Sequence, residues 1–196
     1  MAQYKRKDHY YDKAKREGHA SRAVYKLEEL YRKFRLFGPG DSVLDLGCAP
    51  GSWLEFVAKQ VGSSGIVVGI DRLPVKIQSA GNIRVIQADL EANATYFAAR
   101  EHSPTYDCVL SDMAPNTSGV KFQDQCRSYD LGELAWQWAQ ELLRPGGNLV
   151  IKLLFGEDTP KLLEAIRPHF QKAQIVHTQA TRKGSTEVYI VATGRK

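Results

Sequence analysis

Long apolar runs are missing from this 196-residue chain. No stretch approaches the roughly 20 consecutive apolar residues a membrane helix needs, so no membrane partner is expected. The charged start, MAQYKRK, is not followed by the apolar segment of a signal peptide, and a cytoplasmic protein is expected. Cysteine is scarce: Cys48, Cys108 and Cys126 are an odd number without CxxC spacing, which argues against a disulfide framework and against a zinc site. They read as reduced thiols, and no metal is expected. Repeats, linkers and low-complexity tracts are also missing. The 43% hydrophobic content suffices for one domain with a filled core, residues 1–196, divided into an N-terminal arm and helix (1–37) and a core (38–196).

Positive charge is plentiful only at one end. Residues 1–35 hold eleven Lys or Arg against five acids, while the remaining 161 residues hold 16 against 17, so the net +5 resides in the first segment. Tyr4, Tyr10, Tyr11, Tyr25 and Tyr31 are interleaved with these charges. They are either core-facing rings of a solvated helix or platforms for bases. Concentration of the excess in one arm favours a polyanionic partner, nucleic acid foremost.

The chain is organised around VLDLGCAPGSW at 43–53, an apolar strand pattern ending in an acid, a Gly/Pro turn and a helix start. Gly47 and Gly51 allow a sharp bend and close approach of a ligand to the backbone. IVVGID at 66–71 repeats the strand-then-acid pattern, with Asp71 about 20 residues past Gly51, the spacing of a ribose-binding carboxylate. Further strand patterns lie at 83–89, 106–112, 148–155, 173–178 and 187–192, separated by helical stretches near 53–61, 90–101, 128–143 and 159–168. Residues 1–18 show little periodicity, and a helix follows Ser21 with Ala23, Leu27, Leu30 and Tyr31 on its apolar face. Five βα units finishing in a hairpin describe a doubly wound, mostly parallel seven-stranded α/β sheet, helices on both faces, the last strand antiparallel.

Asp45, Asp71, Asp89 and Asp112 each end a strand at one sheet edge. Singly, such an acid can cap the next helix; together they describe an acidic crevice where open sheets bind ligands. The first loop has no Walker lysine and its glycines do not follow GxGxxG, which disfavours triphosphates and dinucleotides. A cofactor with an adenine, a ribose and a cationic group suits the crevice, and S-adenosyl-L-methionine fits that description.

Five stretches in order, SRAVYKL (21–27), DLGCAPGSW (45–53), SDMAPNTSG (111–119), IKLLFGED (151–158) and EVYIVATGRK (187–196), resemble the FtsJ/RrmJ-type (RlmE-like) RNA 2′-O-methyltransferases over nearly the whole chain. The resemblance implies a Rossmann-like methyltransferase fold and a catalytic tetrad on Lys26, Asp112, Lys152 and Glu187. It also implies cofactor contacts at Gly51, Trp53, Asp71, Asp89 and Asp112. Trp53 stands either against the cofactor or in the core, and Lys26 is otherwise an ordinary helix-surface lysine. In a buried run such as 149–155, an unpaired Lys152 would cost several kcal/mol; Asp112 and Glu187 supply partners. Lys152 is either a neutral base for the ribose hydroxyl or a charged group that orients it.

The partner implied is RNA, with no DNA because the target is a 2′-hydroxyl. Arg6, Lys7, Lys15, Arg16, Arg22 and Arg182 are the expected phosphate contacts. The length resembles members that modify a uridine of large-subunit (23S) ribosomal RNA, acting as a monomer. The alternatives are ribose methylation in a tRNA anticodon loop and a non-catalytic RNA-binding ribosome assembly factor. A small-molecule methyltransferase would have no use for the basic arm. PheGlyGluAsp at 155–158 departs from the family's usual Phe-Gln-Gly-Glu.

Overall fold

A computed structural model describes residues 9–77, 80–182 and 184–196. Seven strands form one sheet: β1 (Ser42–Leu46), β2 (Ile66–Asp71), β3 (Ile83–Gln87), β4 (Tyr106–Ser111), β5 (Leu143–Leu154), β6 (Phe170–Val176) and β7 (Glu187–Arg195). Their order is β3-β2-β1-β4-β5-β7-β6, and β7 runs antiparallel to both of its neighbours. The helices are α1 (His9–Arg16), α2 (Val24–Phe34), α3 (Ser52–Val61), α4 (Asn93–His102), α5 (Lys121–Leu142) and α6 (Thr159–Ile166). The described residues bear out the doubly wound Rossmann-like expectation. No helix among them is long and apolar enough to cross a membrane.

Side-chain alternation divides the core into two layers. Leu44, Leu46, Val68, Ile70, Leu149, Ile151, Leu153, Val188 and Ile190 face a layer closed by Ala135, Trp138 and Leu142 of α5 and Leu162 and Ile166 of α6. Val43, Val67, Leu110, Val150, Tyr189 and Val191 face the other, closed by Leu27 and Leu30 of α2 and Leu54 and Val57 of α3. The alternation assigns Asp45, Lys152 and Glu187 to the α2/α3 face as well. Both sheet faces being covered explains why the strands read as near-continuous apolar runs.

Three expectations are corrected. The first 18 residues, whose weak periodicity predicts a mobile or only conditionally ordered segment, contain α1, which has a single buried residue, Ala14, packed with Val24, Tyr25 and Ala180. Tertiary contact rather than periodicity orders this short helix: Tyr25 donates to Glu17 (2.6 Å), and Lys13 lies 4.3 Å above the Tyr25 ring. The helix expected at 128–143 starts at Lys121, because Asp124 accepts the N–H groups of Ser118 (2.7 Å) and Gly119 (3.2 Å) and holds the preceding turn. The connection from β2 to β3 carries no helix among its described residues, so the βα repeat is broken there. The three cysteines are free, as expected.

The arm's small cluster is separate from the two main layers, so Ala14→Asp should release α1 without unfolding the sheet. Hydrogen exchange should show faster exchange of α1 amides and unchanged protection in β1, β4 and β5.

Candidate active site

The strand order reverses between β1 and β4, and a crevice of about 750 Å³ opens beyond their carboxyl ends. Its lining includes Gly47, Asp71, Asp89, Asp112 and Met113. Gly47 has φ of 75°, and a Cβ there would come within 2.5 Å of Met113 Cγ and 3.2 Å of its backbone nitrogen. A side chain at that position would therefore push apart the loops that follow β1 and β4. Asp71 accepts the N–H groups of Ala49 (2.9 Å) and Leu73 (2.8 Å), fixing the loop after β1 against the end of β2. Asp89 caps the Glu91 N–H at 3.0 Å and faces Arg72 at 3.4 Å. Five carboxylates and two guanidinium groups line the crevice, giving it an acidic balance.

A recess of about 20 Å³, room for one water-sized group, adjoins the crevice and shares Gly47, Ala49 and Asp112 with it. Asp45 lines this recess. It is fully buried, and neither of its carboxylate oxygens meets a hydrogen-bond donor among the described residues. Burial, and after it the charges of Asp112 and Asp71, push its carboxyl well above the ordinary range. Such a group marks a place suited to a cation.

Beside the recess stands a lattice of charges on the α2/α3 face. The β5–β7 register pairs Lys152 with Tyr189 and Leu154 with Glu187, while Ser111 of β4 pairs with Ile151. Asp112 is thereby carried to Lys152. The lysine amine lies 3.1 Å from Asp112 Oδ1 and also donates to the Asp112 carbonyl. Lys26, from α2, lies 2.7 Å from each oxygen of Glu187. Tyr189 joins the two pairs, its hydroxyl 3.2 Å from Asp112 Oδ1 and 3.2 Å from Glu187 Oε1. Burial alone would raise the Glu187 carboxyl, but Lys26, helped by Lys152 and Thr181, holds it below the ordinary range. The same neighbouring carboxylates, together with burial, push the Tyr189 hydroxyl up.

The four residues implied as a tetrad therefore meet, and Asp71, Asp89 and Asp112 reach one crevice. Gly51 lines neither the crevice nor the recess, whereas Trp53 lines the recess beside Asp45. Gly51 caps α3 with φ of 112°, and a Cβ there would strike Val75 and Ile77. Trp53 is 3% exposed, donates its indole N–H to the Ala23 carbonyl (2.8 Å) and packs against Tyr189, so it is packed in the core and at the same time forms part of the recess wall. Lys15 and Arg16 are exposed on α1, whereas Arg6 and Lys7 lie outside the described residues. Arg22 is half-buried, donating to the Ala180 carbonyl and lying 5.5 Å from the Tyr10 ring centroid, so it ties the arm to the β6–β7 loop that carries Arg182. Tyr25 and Tyr31 are packed inward, the latter on Phe37 and Phe56.

Two contributors escaped sequence reasoning. Tyr189 was legible in principle, standing two residues after Glu187 and so on the same strand face. Thr181, 3.1 Å from Glu187, sits in a loop whose path the sequence does not specify.

Comparison with known proteins agrees with this arrangement. Residues 19–195 match the family model described as FtsJ-like methyltransferase. A Bdellovibrio bacteriovorus protein named ribosomal RNA large subunit methyltransferase E is 42% identical over 195 residues, covering 98% of this chain and 99% of the relative. A Syntrophobacter fumaroxidans protein of the same name is 42% identical, covering 96% and 95%. A Plasmodium falciparum structure described as a ribosomal RNA methyltransferase shares the fold, with a TM-score of 0.79 at 24% identity over 90% of this chain and 98% of that one. With a shared sheet, a family match across nearly its full length and relatives that are methyltransferases, the chain belongs to the FtsJ-like methyltransferase family.

Proposed function

We propose that the protein transfers a methyl group from S-adenosyl-L-methionine to a ribose 2′-hydroxyl of large-subunit ribosomal RNA, the target being a uridine. The observation that carries this reading is the pairing of Lys152 with Asp112 and Lys26 with Glu187 through Tyr189, next to an acidic crevice. The names of the relatives support ribosomal RNA over tRNA as substrate. Ribosomal substrates put the enzyme in the cytoplasm.

The residues present fit the cofactor. Asp45, buried without a donor beside a recess of about 20 Å³, suits the ammonium of the methionine portion. Asp71 and Asp89 suit the ribose hydroxyls, and the Cβ-free face of Gly47 keeps the crevice open. When bound, S-adenosyl-L-methionine supplies a methyl already activated on a sulfonium.

What remains for the chain is to orient an oxygen and move a proton. Lys152 is anchored by two oxygens of Asp112, so its amine has a defined direction. In its neutral form that amine would accept the proton of the ribose hydroxyl. Lys26 and Glu187 form a second pair that holds the ribose from the α2 side. Positioning of this kind contributes up to roughly 7–11 kcal/mol to a bimolecular reaction. RNA lies across Lys15, Arg16, Arg22 and Arg182, with Arg6 and Lys7 as further phosphate contacts.

The reading is tested by transfer of labelled methyl to large ribosomal subunits and to tRNA, followed by mapping of the modified ribose. Label in a 2′-O-methyluridine of the large-subunit RNA is expected; label in tRNA alone would overturn the substrate assignment. Lys152→Ala should lower kcat by about 10²–10⁴-fold, with cofactor affinity, read by calorimetry, unchanged.

Cofactor affinity should rise with pH above the ordinary carboxyl range. Because Asp45 is held protonated above the ordinary range, seating a cation beside it releases a proton, and one released proton gives at most about tenfold in affinity per pH unit. Calorimetry of Asp45→Asn should show weaker binding with that slope lost.

RNA affinity should fall steeply with salt, and Lys15→Ala/Arg16→Ala should reduce the log–log salt slope by about 1–2, measured by filter binding between 50 and 200 mM salt.

A further inference from the structure

In the loop between β6 and β7, the Thr181 side chain reaches the charge lattice. Thr181 Oγ1 lies 3.1 Å from Glu187 Oε1 and 2.8 Å from Thr178 Oγ1. An ionised carboxylate only accepts, so the single Thr181 proton points to Glu187 and Thr178 must donate to Thr181. The relay therefore has one direction, Thr178 to Thr181 to Glu187. Thr178 is 5% exposed and Thr181 half-buried, which limits replacement of either hydroxyl by solvent.

We propose that Thr181 is a positioning residue for methyl transfer: its hydroxyl, oriented by Thr178, sets the Glu187 carboxylate and leaves the Tyr189 proton for Asp112. The inference rests on the tetrad reading above and deepens it. Tyr189 has one proton and two acceptors, Asp112 Oδ1 and Glu187 Oε1, each at 3.2 Å. With Thr181 donating to Glu187, the tyrosine can serve the Asp112 that anchors Lys152. Without it, Tyr189 is drawn to Glu187 and Asp112 loses a donor. A loop residue thus reaches the proposed proton acceptor, Lys152, through Glu187, Tyr189 and Asp112.

The loop is also fixed to the helix that carries Lys26. The Gln179 N–H donates to Glu29 of α2 at 2.8 Å, and Arg22 donates to the Ala180 carbonyl. Arg182, an expected phosphate contact, follows Thr181 directly. Seating of RNA phosphate on this loop consequently bears on the residue that orients Glu187. Among the described residues, the charged and titratable groups around Glu187 include Lys26 from α2, Lys152 from β5, Tyr189 from β7 and, across Tyr189, Asp112.

The test compares Thr181→Val, which keeps the shape and removes the hydroxyl, with Thr181→Ser, which keeps the hydroxyl. Full-length proteins are assayed on large ribosomal subunits lacking the modification, alongside S-adenosyl-L-methionine calorimetry and thermal melts. Thr181→Val should lower kcat roughly tenfold, the scale of one hydrogen bond to a charged group, with cofactor Kd and Tm unchanged. The acidic limb of its kcat–pH profile should move to higher pH, because a lost donor favours protonated Glu187. Thr181→Ser should restore both. Unchanged kcat and profile in Thr181→Val, or equal losses in both variants with a lowered Tm, would overturn the positioning role. Carboxyl ¹³C NMR of Glu187 gives a readout independent of activity: its titration should move upward in Thr181→Val and return in Thr181→Ser. An unmoved titration overturns this inference, whereas a wild-type protein inactive on every RNA tested overturns the functional reading.

Discussion

Burial of two lysines against two carboxylates at one corner of the sheet constrains the rest of this structure. Lys152 is 9% exposed and lies on a strand of otherwise apolar neighbours. An ion there costs several kcal/mol unless its partner and hydrogen bonds are in place. The β4–β5 register delivers Asp112, the β5–β7 register delivers Tyr189 and Glu187, and the docking of α2 delivers Lys26. A one-residue slip of β7 would turn Glu187 and Tyr189 to the opposite face and leave Lys26 without its acid. The antiparallel seventh strand thus completes the charge lattice as well as the sheet.

Asp45 follows the opposite rule a short distance away. The lattice satisfies itself within the protein, whereas Asp45 has no donor among the described residues. A single strand-end acid beside a glycine loop would be unremarkable; an acid buried without a partner, flanked by Asp71 and Asp112, is a costly arrangement that a bound cation relieves. In the proposed reaction the two halves of the site divide the work, the lattice orienting a neutral hydroxyl and the crevice receiving a positively charged donor.

The basic arm is less free than its composition implies. Arg22, Lys13, Tyr10 and Tyr25 take part in a small cluster that joins α1 to α2 and to the loop before β7. What remains on its outer surface includes Lys15, Arg16 and the half-exposed Tyr11. The arm therefore braces the helix that supplies Lys26 while leaving Lys15 and Arg16 exposed.

Much of this was legible in the residues themselves. Apolar runs ending in acids locate four of the strands, the hairpin finish predicts an antiparallel seventh, and the motifs carry Lys26, Asp112, Lys152 and Glu187. Local signals suffice for these because strands buried on both faces are continuous apolar runs and strand-end acids punctuate them. The helix α1, the early start of α5, the inward turn of Trp53, and the parts played by Tyr189 and Thr181 were decided only by tertiary structure. Each depends on a contact between segments distant in the chain: Ala14 with Ala180, Trp53 with Ala23, Tyr189 with Asp112. Which acid is satisfied and which is left buried without a donor depends on the same distant contacts, because a hydrogen-bond partner is a matter of position in space and not of order along the chain.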